Sequence, residues 1–269
     1  MAMASQEWPR NVNLIFKKFL HLLTVTLLSL SLPLSFLLFC RLARSQYLQA
    51  FLSPSTPLTS SFVAYADRVL LLVLISLIAI AAFLDNLLGK SILPARPSGL
   101  SAAWIGLCAL QVGMALGMDE GLAIAIDASS IGFRRNLWCR LMFFLGLHTA
   151  MIHWSKAAVK PVVDDTVFGT PVEESWSERI AMAVSFGGLW WWRLRDEAES
   201  PAIAAESKME LLIDLTMVDF AGWALYYLII AIGFVKTSRI FVWFLKFILR
   251  ERKEESSSQF SQSKRIEVV

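Results

Sequence analysis

Charge is scarce in this chain. Asp, Glu, Lys and Arg make up 17% of its 269 residues, against about a quarter in an ordinary soluble domain. Histidine and cysteine are rarer, with three of each. Three cysteines, Cys40, Cys108 and Cys139, exclude a disulfide-stapled secreted scaffold. Cys40 and Cys139 would lie near one membrane face, but spacing alone gives a bridge between them no geometric support. Three histidines exclude a His-cluster metalloenzyme: His148 and His153 are five residues apart, about 140° around a helix, where a zinc-type pair needs a spacing of four. Gly-x-x-x-x-Gly-Lys, Gly-x-Ser-x-Gly and the dinucleotide glycine fingerprint are missing, so nothing points to nucleotide or acyl-transfer chemistry. Asn-x-Ser/Thr is missing too, which removes N-glycosylation as a marker of sidedness.

What is present is hydrophobic length. Hydrophobic residues are 56% of the chain and mean hydropathy is +0.57. A 30.2 kDa globule cannot bury that fraction away from water. About 20 apolar residues of helix cross the roughly 30 Å hydrocarbon core of a bilayer. The expected fold is all-α: a polytopic helical membrane protein of about six transmembrane helices with a juxtamembrane amphipathic C-terminal helix. Spans are expected at about 19–40, 69–88, 100–118, 137–155, 177–193 and 211–235, making one membrane domain over 19–235. Residues 1–18 form a short cytosolic segment before it.

The first run, Phe19–Cys40, has 22 residues and is followed by Arg41-Leu42-Ala43-Arg44. A cleaved signal has an apolar core of roughly 7–15 residues with small residues after it, so this run reads as a retained span. Pro33 predicts a kink in its second half. The fifth segment is the shortest, with 13 uncharged residues from Ile180 to Trp192 that could span, re-enter or lie at the interface. Trp190-Trp191-Trp192 before Arg193 resembles an aromatic belt. Polar loops are expected over Ser155–Glu178 and Arg193–Glu210. With six crossings and a cytosolic N-terminus, sixteen Lys and Arg residues fall on the cytosolic side and eight on the other, with Arg140 inside a span. Without the fifth crossing the split becomes eleven to thirteen, so positive-inside bias favours six spans with both termini cytosolic.

Beyond the sixth run, Lys236, Arg239, Lys246, Arg250 and Lys253 project within about 100° of one another on a helix. The remaining arc carries Ile240, Phe241, Phe244, Leu245, Phe247 and Ile248. This is a basic amphipathic helix over 236–253, suited to anionic lipids of the cytoplasmic leaflet or to an ordinary positive stop signal. The tail at 254–269, with five serines beside Glu254 and Glu255, reads as disordered.

Ionisable residues inside spans cost several kcal/mol, so each needs a partner or a task. Arg140 and Asp214 stand at matched shallow depth in spans four and six, and His148 and Asp219 deeper, which predicts Arg140–Asp214 and His148–Asp219 pairs. Gln111 is a further polar group in span three. Gly113-x-x-x-Gly117 in the same span predicts a close helix contact.

Three functional readings follow. The first is a non-enzymatic multi-pass protein, without cofactor, that organises, anchors or regulates protein partners through its cytosolic loop and tail. The alternative is a small transporter or proton-coupled permease using Asp219, His148, Arg140 and Gln111. A membrane-embedded lipid enzyme using Asp164, Asp165 or His153 has the least support. Basic residues cluster at span ends, which argues for lipid contact and against nucleic acid.

Overall fold

In a computed structural model the described residues are 4–52, 58–89, 98–123, 136–169, 175–210 and 216–266, and among them there is no strand. The described residues form ten α-helices: α1 (Ala4–Ser29), α2 (Ser31–Leu52), α3 (Leu58–Leu88), α4 (Ser98–Ala123), α5 (Leu137–Trp154), α6 (Lys160–Val163), α7 (Trp176–Leu189), α8 (Arg195–Glu197), α9 (Ser200–Glu210) and α10 (Met217–Ile266). Among the described residues, four helical stretches are long and apolar enough to cross a membrane: Ile15–Ser45, Tyr65–Leu88, Leu100–Gly117 and Met217–Arg250. They contain the expected first, second and third runs, and the sixth from Met217 onward.

Proline and glycine set the interruptions. α1 and α2 are parted at Leu30, because the Pro33 ring meets the carbonyl four residues back, at Ser29, and offers that carbonyl no N–H. Hydroxyls line this break: Ser29 donates to the Val25 carbonyl at 2.6 Å and Ser31 to Leu28 at 2.6 Å. α5 passes through a π-helical segment, Ser155–Val159, into α6, just before Pro161, which cannot donate to the i−4 carbonyl. A second π segment, Asp164–Phe168, ends at Gly169 with φ 64°, the left-handed position that favours glycine at a helix end. The expected polar loop after Ser155 is therefore helical as far as Phe168.

The fifth segment differs most from expectation. Rather than a 13-residue run and a polar loop, α7, a π turn (Trp190–Leu194), α8 and α9 make one long helical path from Trp176 to Glu210. Met182, Phe186, Leu194, Ala198 and Ala202 are buried along it, with Trp190 completing the four-residue stripe. That stripe holds an otherwise charged stretch against the bundle. Trp190 stacks on Phe143 at 6.1 Å, whereas Trp191 and Trp192 point outward, 73% and 74% exposed.

Side-chain contacts give the helix directions. α3 and α10 run the same way, since Arg68 meets Asp219 and, about twenty residues on, Arg239 meets Asn86. α4 runs opposite to α3, with Gly113 against Leu71 and Gly117 against Asp67. α5 follows α10: Phe143 stacks on Tyr226 at 5.0 Å, and His153 reaches Asp85 at the far end of α3. At its crossing with α10 the backbones nearly touch, because a Cβ on Gly146 would collide with the Ile229 carbonyl and one on Gly233 with the Met142 carbonyl. Phe36, Phe143, Phe144, Phe186, Trp190 and Tyr226 form an aromatic centre joining α2, α5, α7 and α10.

α10 has 50 residues, about 75 Å of helix. It continues to Ile266 where composition pointed to a disordered tail. After Gly233 no glycine or proline interrupts the sequence, so no local breaker ends it.

Candidate functional site: a buried ion-pair network

At the end of the bundle where α10 begins, the charges are inside. Asp219 is 2% exposed, and Arg68 likewise. One carboxylate oxygen of Asp219 accepts from Arg68 Nη2 at 2.7 Å. The other accepts from Lys208 Nζ at 2.6 Å and from the Thr216 hydroxyl at 2.7 Å, with the Thr216 backbone N–H at 3.3 Å. The Thr216 hydroxyl also accepts from the Asp219 N–H at 3.3 Å, so Thr216 and Asp219 cap α10 reciprocally. One carboxylate thus ties α3, α9 and the start of α10 together. Arg68 also lies over the Phe39 ring of α2, 5.7 Å from its centroid.

Asp67 brings α4 into the same end. It is buried and faces Gly117 and Gly113: a Cβ on Gly117 would stand 2.5 Å from its Oδ2, and one on Gly113 3.7 Å from its Oδ1. These two glycines therefore make room for a carboxylate as well as for Leu38 and Leu71. Within the cluster Asp219 meets two cations, Arg68 and Lys208, and pairing with hydrogen bonds is the condition for burying charge at tolerable cost.

Two further pairs flank it. Arg41 Nε donates to Glu197 at 2.7 Å, with Nη2 to the other oxygen at 3.1 Å, a bidentate contact. Arg140 Nε donates to Glu199 at 2.6 Å and Nη2 to the Arg195 carbonyl at 3.1 Å. The fifth segment thus supplies the anions that neutralise cations on α2 and α5. Arg41, Arg68 and Arg140 are internal cations, so they weigh little in a count of positive loop charge. At the opposite end His21 bridges Asp164 at 2.8 Å through Nε2 and Glu178 at 3.4 Å through Nδ1, while Lys160 meets Glu178 at 3.5 Å. Ser175, at the N-cap of α7, accepts from the Glu178 N–H, which leaves the Glu178 side chain free to turn inward.

The expected pairs come out differently. Asp214 lies outside the described residues, and Arg140 is held by Glu199. His148 does not pair with Asp219. It sits between Phe144 and Phe186, 6.4 and 5.4 Å between ring centroids, and its buried Nε2 has no hydrogen-bond partner. Depth differs as well as partner: Phe143 is level with Tyr226, so His148 stands well past Asp219 along the paired helices, and the cations that meet Asp219, Arg68 and Lys208, come from just outside the expected spans. Gln111 is exposed on the outer face of α4. His153 is paired with Asp85 at 3.0 Å. Of the C-terminal cations, Arg239 Nη1 donates to the Asn86 carbonyl at 2.5 Å and so caps α3, just before Gly89 with φ 65°. Lys236, Lys246 and Arg250 are exposed, and the Lys253 side chain lies outside the described residues. Cys40, Cys108 and Cys139 are free thiols. Among the described residues no group of three His, Cys, Asp or Glu side chains is arranged to hold a metal.

The sequence signal for Lys208 and Glu199 was the four-residue apolar stripe from Met182 to Ala202, which marks a packed helix through a charged stretch. No local signal distinguished Arg68 from an ordinary flanking arginine. Comparisons of the chain with protein-family models, with curated proteins and with solved structures find no match.

Proposed function

We propose that this is a six-crossing integral membrane protein with both termini cytosolic, and that it is a non-enzymatic platform that anchors or organises partners. One observation carries the reading: charge is paired off inside the bundle while large apolar side chains cover its outside. Leu77, Ile80, Ile105, Val112, Val184 and Phe234, from α3, α4, α7 and α10, are all exposed. A water-facing protein does not carry an apolar surface on that scale. The alternating directions of α2, α3, α4, α5, the fifth helical path and α10 support six passages. On this reading His21 and Arg239 stand at the cytosolic end and Asp219 at the other.

The arrangement of polar groups favours a platform over a permease. Asp219 is saturated by donors, Arg140 is held by Glu199, His148 is wedged between aromatic rings, and Gln111 faces outward. These groups occupy four separate places and line no shared path. The test is reconstitution of wild type and Asp219→Asn in vesicles containing a pH-sensitive dye. Equal proton leak from both supports the platform; a wild-type flux that vanishes in a folded Asp219→Asn protein would make it a permease.

A further inference from the structure

The cytosolic half of α10 carries a feature that the buried network does not use. Phe234, Val235, Ser238, Arg239, Val242, Trp243 and Lys246 line an open groove of about 440 Å3. They recur at intervals of four with a neighbour beside each, so they occupy one helix face. Its two ends differ in chemistry. Phe234 and Val235 are apolar; twelve residues on, about 18 Å along the axis, stands Lys246. Ser238 and Arg239 lie between, level with the end of α3, where Arg239 touches Asn86. On the bilayer reading above, which this inference rests on, that level is the boundary between hydrocarbon and headgroups.

From there to Leu249, the apolar side chains of α10 are uncovered among the described residues. Ile240, Phe241, Val242, Trp243, Phe244, Leu245, Phe247, Ile248 and Leu249 are all exposed. The apolar stretch Met217–Arg250 has 34 residues, about 51 Å, against a hydrocarbon core of roughly 30 Å. Its outer part therefore emerges among the headgroups, where an apolar face and interleaved cations are both satisfied.

We infer that this groove binds one anionic phospholipid of the cytoplasmic leaflet. The phosphate sits between Arg239 and Lys246, with the Ser238 hydroxyl as a further donor, and an acyl chain lies along Val235 and Phe234 toward the membrane interior. Val242 and Trp243 form the floor between the two cations. Charge complementarity selects the headgroup: the groove has two cations and no carboxylate. Arg239 keeps a donor for this purpose, since only Nη1 is committed to the Asn86 carbonyl.

Native mass spectrometry of the full chain, with equal amounts of phosphatidylserine and phosphatidylcholine, tests the site. The expected result is a single bound lipid, phosphatidylserine favoured, with occupancy falling about tenfold in Lys246→Glu. Ser238→Phe, which fills the groove without changing charge, should reduce it comparably, whereas Arg250→Glu, outside the groove, should not. Glycerol phosphate should fail to compete; competition would mean that the site takes free phosphate and not a lipid. Equal binding of the two lipids, or equal loss in Arg250→Glu, would overturn the inference. Carbonate extraction of the same preparation separates the two failures: a carbonate-resistant protein without lipid preference sinks only the groove, and a protein released by carbonate sinks the bilayer reading.

Discussion

The two halves of α10 belong to one uninterrupted helix and have opposite surroundings. Its first half buries Val218, Leu225, Tyr226, Ile229 and Ile232 and anchors the Asp219 network. From Arg239 to Arg250 every residue is exposed, although the sequence is no less apolar. Hydrophobicity therefore does not distinguish them. What does is a surface that accepts close approach: Gly233 meets Gly146, and Asp219 meets cations from two other elements. Arg239–Arg250 has aromatic bulk and no small residue, so no helix can approach its backbone as α5 does at Gly233.

The difference can be broken most severely at the glycine crossing. Gly146→Leu pushes a side chain into the Ile229 carbonyl, and the backbone cannot yield as a side chain would. The expected loss is at least about 3 kcal/mol, read as a collapse of thermal stability in detergent and of the monodisperse peak in size exclusion. A protein that stayed folded and unchanged would show that α5 and α10 do not approach so closely.

Next comes the carboxylate. Asp219→Ala leaves Arg68 and Lys208 buried without their counter-ion, a situation that costs about 3–5 kcal/mol. Asp219→Asn retains the hydrogen-bond geometry and should cost less, while Lys208→Met combined with Asp219→Leu should recover part of the loss. The order of the three melting temperatures checks whether the pairing or the packing dominates.

Gly117→Ala is a finer probe. Its methyl group would press on the Asp67 carboxylate and the end of Leu38, both of which can shift, so about 1–2 kcal/mol is expected. In the exposed half, Trp243→Ala and Phe244→Ala should move detergent stability by no more than about 0.5 kcal/mol. A large effect there would mean that another part of the chain covers that face.

Much of the architecture was legible as apolar length. The runs at Phe19, Val69 and Leu100 became membrane-length helices because a long apolar run, away from water, satisfies its backbone hydrogen bonds within itself as a helix. Pro33 and the spacing of Gly113 and Gly117 were visible too, although the glycines turned out to face a carboxylate as well as leucines. Uncharged length understates the fifth segment, because Arg193, Arg195, Glu197 and Glu199 sit on faces that meet other helices or the surface. The crossing of Gly146 with Gly233 carried no paired motif in either helix. The tail was misjudged because its composition is polar, although it contains no residue that stops a helix.

Composition and apolar length determined by themselves that this chain is helical and where its first three membrane-length helices run. Tertiary structure alone decided that Asp219 meets Arg68 and Lys208 and not His148, and that Arg140 meets Glu199. Periodicity assigns a residue to a face of its own helix, but the partner of a buried charge is set by which helix lies opposite, at what rotation and depth. Those quantities depend on packing between segments separated by as many as 156 positions in the chain.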